Sequence, residues 1–518
     1  MTAEHSIARE ASVNFDPMAT GRALMPRRLR LAVGCFLGLV AMLPTGCAAL
    51  RSPPPAAEFQ ATPLPEPSGD DLAEFERMGH SLVEQEEPVD APPVILQGAV
   101  VLTAHGERYD PGYIVIRNGR IAALGEGAPP KVDDAHLIDV SGDYITPGII
   151  DVHSHLGVYP TPWAQAHNDG NEATDPNTAG VWAEHGFWPQ DPSLERAMAG
   201  GVTTVQILPG SANLIGGRGV TLHLVPHRGA RAMRFPGAPE GVKMACGENP
   251  KRVYGKRNET PATRMGNVRE QRAAFIEARA YRDAWRRYRR DVEKAERGAP
   301  GAKSLNELQP PKRDLNKETL VQLMEGRLLA HIHCYRADDM LNLIQLADEF
   351  GFSIRAFHHA LEAYKIADIL ADRGIAAATW ADWWGFKLEA FDGIPQNAGL
   401  VTRAGGRAII HSDSHTEIRR LNQEAAKAYY AALHAGLTLT EDEALRWITA
   451  NPAWALGIED QVGSLQPGLR ADIVVWDRHP FSVYARARYV FVDGVPRFDR
   501  EHPGAPWSDF ELGLEVSP

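Results

Sequence analysis

Two histidines one residue apart, His153 and His155, close the run Thr146-Pro-Gly-Ile-Ile-Asp-Val-His-Ser-His. Ile149 and Ile150 mark it as a short buried strand. Residues two apart in a strand project from one face, whereas the same spacing on a helix parts them. Two imidazoles on one face can share a divalent ion, but zinc needs three or four ligands, so an isolated His-x-His is more often a polar loop. The rest of the chain supplies partners: His331-Ile-His333, Phe357-His-His359 and His411-Ser-Asp413 each end another apolar β-type run. A parallel barrel gathers the C-terminal ends of its strands at one mouth, where these groups would converge on His153 and His155. One buried histidine is ordinary core; four such strand ends together form a metal-binding constellation.

The elements that must position them alternate. Strand 1 ends at His155, a loop from Tyr159 to Gln190 and a helix from Leu194 to Ala199 follow, and Val202 to Leu208 reads as the next strand. Further on come a strand at Leu328 to His333, a helix at Asp338 to Phe350, a strand at Ser353 to His359 and a helix at Leu361 to Asp372. Ile375 to Thr379 and Ala408 to Asp413 are two more strands. Repeated βα units over about 300 residues predict an α/β fold, a (β/α)8 TIM-like barrel spanning 148–456. Short β-rich runs flank it: Val94 to Leu102, Tyr113 to Arg117, Arg120 to Leu124 and His136 to Val140 before, then Val462 to Leu465, Ala471 to Trp476 and Val490 to Gly494 after. They predict a small β-sandwich domain built from segments 93–147 and 457–500, leaving 501–518 as a tail. One insertion, about 264–297, places Phe275, Ala278, Tyr281, Trp285 and Tyr288 at helical spacing among arginines. It reads as an outer helix whose basic face is balanced by Glu270, Glu277, Asp283 and Asp291, rather than as a nucleic-acid or membrane contact.

A net charge of −12 over 518 residues offers no general basic surface, which excludes nucleic acid as the expected partner and favours a small-molecule substrate. Residues 1–52 read as an export segment: Arg27, Arg28 and Arg30 precede an apolar stretch from Leu31 to Leu43 and the site Pro44-Thr-Gly-Cys47. Leu43-Pro-Thr-Gly-Cys47 resembles a bacterial lipoprotein signal, although the proline departs from the usual pattern and leaves simple secretion as the alternative. The protein is therefore expected to be exported, periplasmic or membrane-anchored, touching membrane only through an N-terminal lipid on Cys47. Residues 53–92, rich in Pro, Ala and Glu, read as a flexible linker. Only Cys246 and Cys334 lie beyond the export segment; two separate buried thiols are expected, with a disulfide in an oxidising compartment as the alternative if the two meet in space.

The chain resembles the amidohydrolase superfamily, in particular its imidazolonepropionase-like and exported peptidase-like branch, from about Pro93 to Arg500. The motifs that carry this are Pro147-Gly-Ile-Ile-Asp-Val-His-Ser-His, Gly200-Gly-Val-Thr-Thr-Val, Asn451-Pro-Ala and Gly463-Ser-Leu-Gln-Pro-Gly-Leu-Arg-Ala-Asp-Ile-Val-Val. The resemblance implies metal ligands at His153, His155, His333, His359 and Asp413, holding one or two divalent ions, with zinc the expected metal. Gly241-Val-Lys-Met-Ala-Cys-Gly-Glu looks similar to the setting of the superfamily's carboxylated lysine, which makes Lys243 the candidate bridge through an anionic carbamate. Glu248 is the alternative bridge. His331 lies deeper on the face of His333, and His358 should point away from His359, so both are expected to support or pack.

These parts imply a metal-dependent amidohydrolase that cleaves an amide, cyclic amide or dipeptide C–N bond. Water activated at the metal attacks, and Asp413 carries its proton to the leaving nitrogen. The superfamily's deaminases place a Glu three residues after the strand 5 histidine; Arg336 stands there, so deamination of a nitrogen heterocycle ranks second. A non-catalytic binding lipoprotein ranks third, because a pure binder has no use for Asp413. Asn171, Glu172, Trp380, Arg336 and Tyr364, with Trp383 and Trp384, are the expected lining of the mouth, Arg336 as a carboxylate grip and the tryptophans as an apolar wall. Homo-oligomerisation is left open.

Overall fold

In the computed structural model, residues 92–502 are described; the stretches expected as an export segment and a linker, and the tail from 503, lie outside them. Eight consecutive strands form the central sheet: β6 (Ile149–Ser154), β7 (Val202–Ile207), β8 (Ile215–His223), β9 (Gly241–Ala245), β10 (Leu329–Cys334), β11 (Ile354–His359), β12 (Ala376–Thr379) and β13 (Ala408–Ile410). Each pairs with its sequence neighbour. The first and last strands are drawn together where the Asp413 amide donates to the His153 carbonyl at 3.0 Å, so the sheet is a nearly closed barrel. These strands read as runs of Ile, Val and Ala because both faces are buried: one fills the barrel, the other packs on helices such as Ala337–Phe350.

One strand departs from the expected parallel order. β8 runs antiparallel to both β7 and β9, because the connection 208–214 is too short for the crossover of a dozen or more residues that a parallel return requires.

A second sheet lies outside the barrel. It joins β1 (Val94–Leu102), β2 (Arg108–Arg117), β3 (Arg120–Glu126), β4 (His136–Asp139) and β5 (Tyr144–Pro147) to β14 (Ile473–Trp476), β15 (Ala487–Val492) and β16 (Val495–Asp499). Its order is β16-β15-β14-β5-β1-β2-β3, with β4 beside β1, so segments from before and after the barrel share one sheet through the β5–β14 pair. Leu96, Ile114, Ile145, Val475 and Phe491 form its core. Val462 to Leu465, expected as a strand, is a bend; the Leu465 amide donates to the carbonyl of Thr103, just past β1, and its side chain joins the core of this sheet.

The Gly200-Gly201 pair turns the chain into β7 where no side chain fits. Gly201 has φ +90°, and a Cβ there would sit 2.9 Å from the Trp476 ring of the second sheet. Gly201→Ala should therefore destabilise the protein by about 1–3 kcal/mol through backbone strain and overpacking, read as a lower urea midpoint; an unchanged midpoint would contradict this packing.

The inserted helix, Arg264–Glu296, is capped by Thr263 and buries Asn267, Gln271, Phe275 and Ala278 on one stripe. Phe275 stacks on Phe352 at 4.8 Å, while pairs such as Arg269–Glu270, Arg282–Asp283 and Lys294–Asp291 occupy the outer face. Its inner face also braces the barrel mouth: Gln271 Nε2 donates to the Ala245 carbonyl at 2.9 Å and Asn267 Nδ2 to the Gly247 carbonyl at 2.8 Å.

Cys246 and Cys334, expected as separate thiols, form a disulfide with a Cα–Cα distance of 5.2 Å. The cause is local: β9 and β10 are paired neighbours, and the Cys246 amide donates to the His333 carbonyl at 2.9 Å, which sets the two residues side by side. The bridge closes a separation of 88 residues. Cys246→Ser with Cys334→Ser should lower stability by about 2–4 kcal/mol in denaturant; equal midpoints for wild type and the double variant would contradict it.

Candidate metal centre

The site is built on the C-terminal ends of β6, β9, β10, β11 and β13. Asp151 ties the first to the last: its carboxylate accepts from the backbone amides of His153 at 3.1 Å and Ser412 at 3.2 Å and from the Ser412 hydroxyl. Burial, outweighing these bonds, raises its pKa to about 7. Beyond this clamp the backbone takes positive φ at three non-glycine residues, Asp413 at 53°, His359 at 70° and Ala360 at 34°. Such conformations cost energy and persist only where packing enforces them, commonly at functional sites.

Six predicted groups meet here. Asp413 Oδ1 lies 3.0 Å from His155 Nε2 and 3.5 Å from His153 Nε2. Lys243 Nζ lies 3.1 Å from His153 Nε2 and donates to the Pro209 carbonyl at 3.0 Å. The His155 Nδ1 faces the Leu208 carbonyl at 2.7 Å, so Nδ1 carries the proton and Nε2 keeps its lone pair for the site. His333 and His359 have ring centroids 4.4 Å apart, and His359 is 4.7 Å from His153 by the same measure. His153, His359 and His411 bring donor atoms within 4.8 Å of one another, as do His153, His155 and Asp413.

The donor set fits divalent metal. His333 and His359 each keep a buried Nδ1 without a hydrogen-bond partner, an arrangement that costs free energy unless something binds there. Imidazole nitrogen with carboxylate oxygen is the chemistry that zinc and similar ions take. Burial, helped by Lys243 and neighbouring imidazoles, holds His153, His333 and His359 well below the usual histidine pKa, so they present the neutral form that ligation requires. Burial also pushes Lys243 down to about 7, against the pull of Asp413. For Asp413, burial raises the pKa, but the polar and cationic surroundings at His155, His411 and Lys243 lower it by more, so the carboxyl lies below its usual value and is ionised near neutrality.

Some expected roles fall elsewhere. His358 does not point away: it pairs with His333 across β10 and β11 and shares its inward face, its ring 4.8 Å from that of His153, while left-handed His359 departs from the pleat at the strand end and turns inward as well. Glu248 faces Lys387 at 3.5 Å. Arg336 is taken up in a two-pronged pair with Asp338, at 2.9 and 2.7 Å, and Tyr364 Oη donates to the Asp392 carbonyl. Trp380 is buried against the histidines, its ring stacked 4.4 Å from that of His359 and its Nε1 donating to the Ser412 carbonyl. Trp384 is exposed. Asn171 reaches Tyr159, whose ring abuts His155, and Glu172 accepts from Thr174.

Four groups beside the cluster carried no assigned role in the sequence. His411 accepts from the His359 amide at 3.3 Å; its position two residues before Asp413 was a usable signal. Tyr335 stacks on His359, Asn249 Nδ2 lies 3.5 Å from His333 Nε2, and Lys387 Nζ lies 3.8 Å from the Tyr335 ring centre and 3.4 Å from Asn249 Oδ1. Tyr335 follows His333 at the two-residue spacing of a strand face, whereas no spacing rule connects Asn249 or Lys387 to the histidines.

A barrel carrying histidines, a lysine and an aspartate at its strand ends, with a split outer sheet, defines a class of metal-binding barrel. Comparison with known proteins narrows it. The model of the Amidohydrolase family matches residues 359–498. The crystal structure of an amidohydrolase from Thermotoga maritima is 34% identical, with a TM-score of 0.68, covering 79% of this chain and 100% of that one. Amidohydrolase tasK of Hapsidospora irregularis is 35% identical over 407 residues, 75% of this chain, but the match spans only 40% of that protein's length. An imidazolonepropionase of Cereibacter sphaeroides is 26% identical over 431 residues, 76% of this chain and 93% of its own. The chain belongs to the amidohydrolase superfamily.

Proposed function

We propose that the protein is a metal-dependent hydrolase of small C–N substrates: amides, cyclic amides or dipeptides. The observation that carries this is an ionised Asp413 in contact with both His155 and His153, within a buried set of neutral imidazoles. His153, His155, His333, His359 and Asp413 would hold the metal, with Lys243 as its carbamate. When bound, one or two divalent ions, zinc foremost, acidify a water toward neutrality and polarise the scissile carbonyl. Asp413 would take a proton from the attacking water and return it to the leaving nitrogen. Trp380 and Tyr335, stacked on His359, cover one side of the cluster and exclude bulk solvent from it. The similarity to an imidazolonepropionase over 93% of its length supports including cyclic amides among the substrates.

Export fits the same reading. A disulfide between buried cysteines persists in an oxidising compartment, which agrees with a signal at 1–52 and a lipid anchor or secretion.

A panel of N-acyl amino acids, dipeptides and cyclic amides, scored for product amine and for free ammonia, tests the proposal on zinc-loaded protein. Cleavage of one class with release of an amine or ring-opened acid is the expected result. Ammonia from an aminated heterocycle would replace it with deamination, and no turnover with tight substrate binding would replace it with a binding role.

A further inference from the structure

Beneath the metal centre the barrel interior holds two more histidines than the proposed chemistry uses. His153 Nδ1 lies 3.0 Å from His358 Nδ1, and His358 Nε2 lies 2.9 Å from His331 Nδ1. All three side chains are buried: His153 is 1% exposed, His331 and His358 are 0%. Space for the lowest ring is made by Gly241, whose missing Cβ would come 2.8 Å from His331 Cδ2 and 2.7 Å from Gln206 Nε2. An apolar barrel floor would fill this volume at no desolvation cost, so three imidazoles in line call for a reason.

We propose that His358 and His331 are positioning residues: a two-imidazole brace that holds His153 with its Nε2 lone pair turned toward Lys243 and Asp413 and thereby sets the affinity of the metal centre. The proposal rests on the metal-site reading above. A neutral imidazole has one N–H and one lone pair, and each N···N contact needs one of each. The direction of one ring therefore dictates the other two. If His153 offers Nε2 to a cation, its proton lies on Nδ1 and is donated to His358 Nδ1. The His358 proton then lies on Nε2 and is donated to His331 Nδ1, leaving the His331 proton on Nε2. His331 Nε2 and both amide atoms of Gln206 are buried without hydrogen-bond partners, so the open end of the chain lies in a polar niche. Run the other way, the chain would put a proton on His153 Nε2 and block ligation there. Removing His358 removes this bias and frees the ring to turn.

Zinc affinity of the full chain, measured by competition with a chelator, tests the brace. His358→Phe should bind zinc about 10–100-fold more weakly, the usual cost of losing a group that orients a ligand. His358→Gln, whose amide offers an acceptor to His153 and a donor to His331, should recover most of that loss, which a merely space-filling role would not predict. His331→Phe should lose affinity in the same direction but by less. Melting of the metal-free proteins checks that each variant is folded. If His358→Phe does not fold, the comparison of His331→Phe with wild type decides. Wild-type affinity in a folded Phe variant, or equal loss in His358→Phe and His358→Gln, overturns the brace; a wild-type protein that binds no zinc overturns the metal-site reading instead.

Discussion

Replacing Asp413 by Asn should lower turnover about 10²–10⁴-fold, the range expected when a positioned acid–base group is lost. Asparagine is the informative substitution because it keeps the size of the side chain and tolerates the left-handed backbone at φ 53°, whereas Ala would add strain at a position that few residues adopt. The amide still reaches His155 but takes up no proton from water. The fold should survive, because Asp151 rather than Asp413 makes the side-chain clamp between the first and last strand ends. Steady-state kinetics on the active substrate, beside a melting curve, reads the effect. Turnover within threefold of wild type, in a variant that melts normally, would remove Asp413 from its assigned role.

The second large effect concerns Lys243. This lysine is 1% exposed, 3.1 Å from His153 Nε2, with its pKa brought down to about 7 by burial. Above that pH the amine is neutral and reacts with carbon dioxide; below it the ammonium neither reacts nor ligates. Loading of metal-free protein should therefore rise with pH through about 7 and rise further with added bicarbonate. Lys243→Ala should hold one metal per chain where wild type holds two, with turnover reduced by at least an order of magnitude, and a small carboxylate such as acetate should restore part of both by filling the vacated space with an anionic oxygen donor. One metal in wild type and variant alike, by elemental analysis, would show that Lys243 does not bridge.

The legible part of the site was the part with a period. His153 and His155 share a strand face, and the runs ending at His333, His359 and Asp413 are apolar until their last residues, so barrel convergence followed from pattern alone. Most of the outer sheet was readable from its short β runs and turns, but β5 and β16 were not expected and Val462 to Leu465 is a bend. What escaped depended on distance along the chain or on single dihedrals. A short link made β8 antiparallel, a choice that the strand's own residues do not encode. Neighbouring β9 and β10 brought Cys246 to Cys334 across 88 residues. The register that pairs His358 with His333 faces it inward, and left-handed His359 lets the next ring turn in beside it. Arg336 was spent locally on Asp338, while Lys387 and Asn249 arrived beside His333 from separate connections with no shared spacing.

The most direct measurement is hydrolysis of the active substrate by one preparation assayed as purified, after exhaustive chelation, and after zinc is restored. The structure of the cluster predicts that activity vanishes on chelation and returns with zinc, while the Asp413→Asn variant regains metal but not turnover. Hydrolysis that continues at the wild-type rate in metal-free protein would contradict a metal-dependent site at the mouth of this barrel.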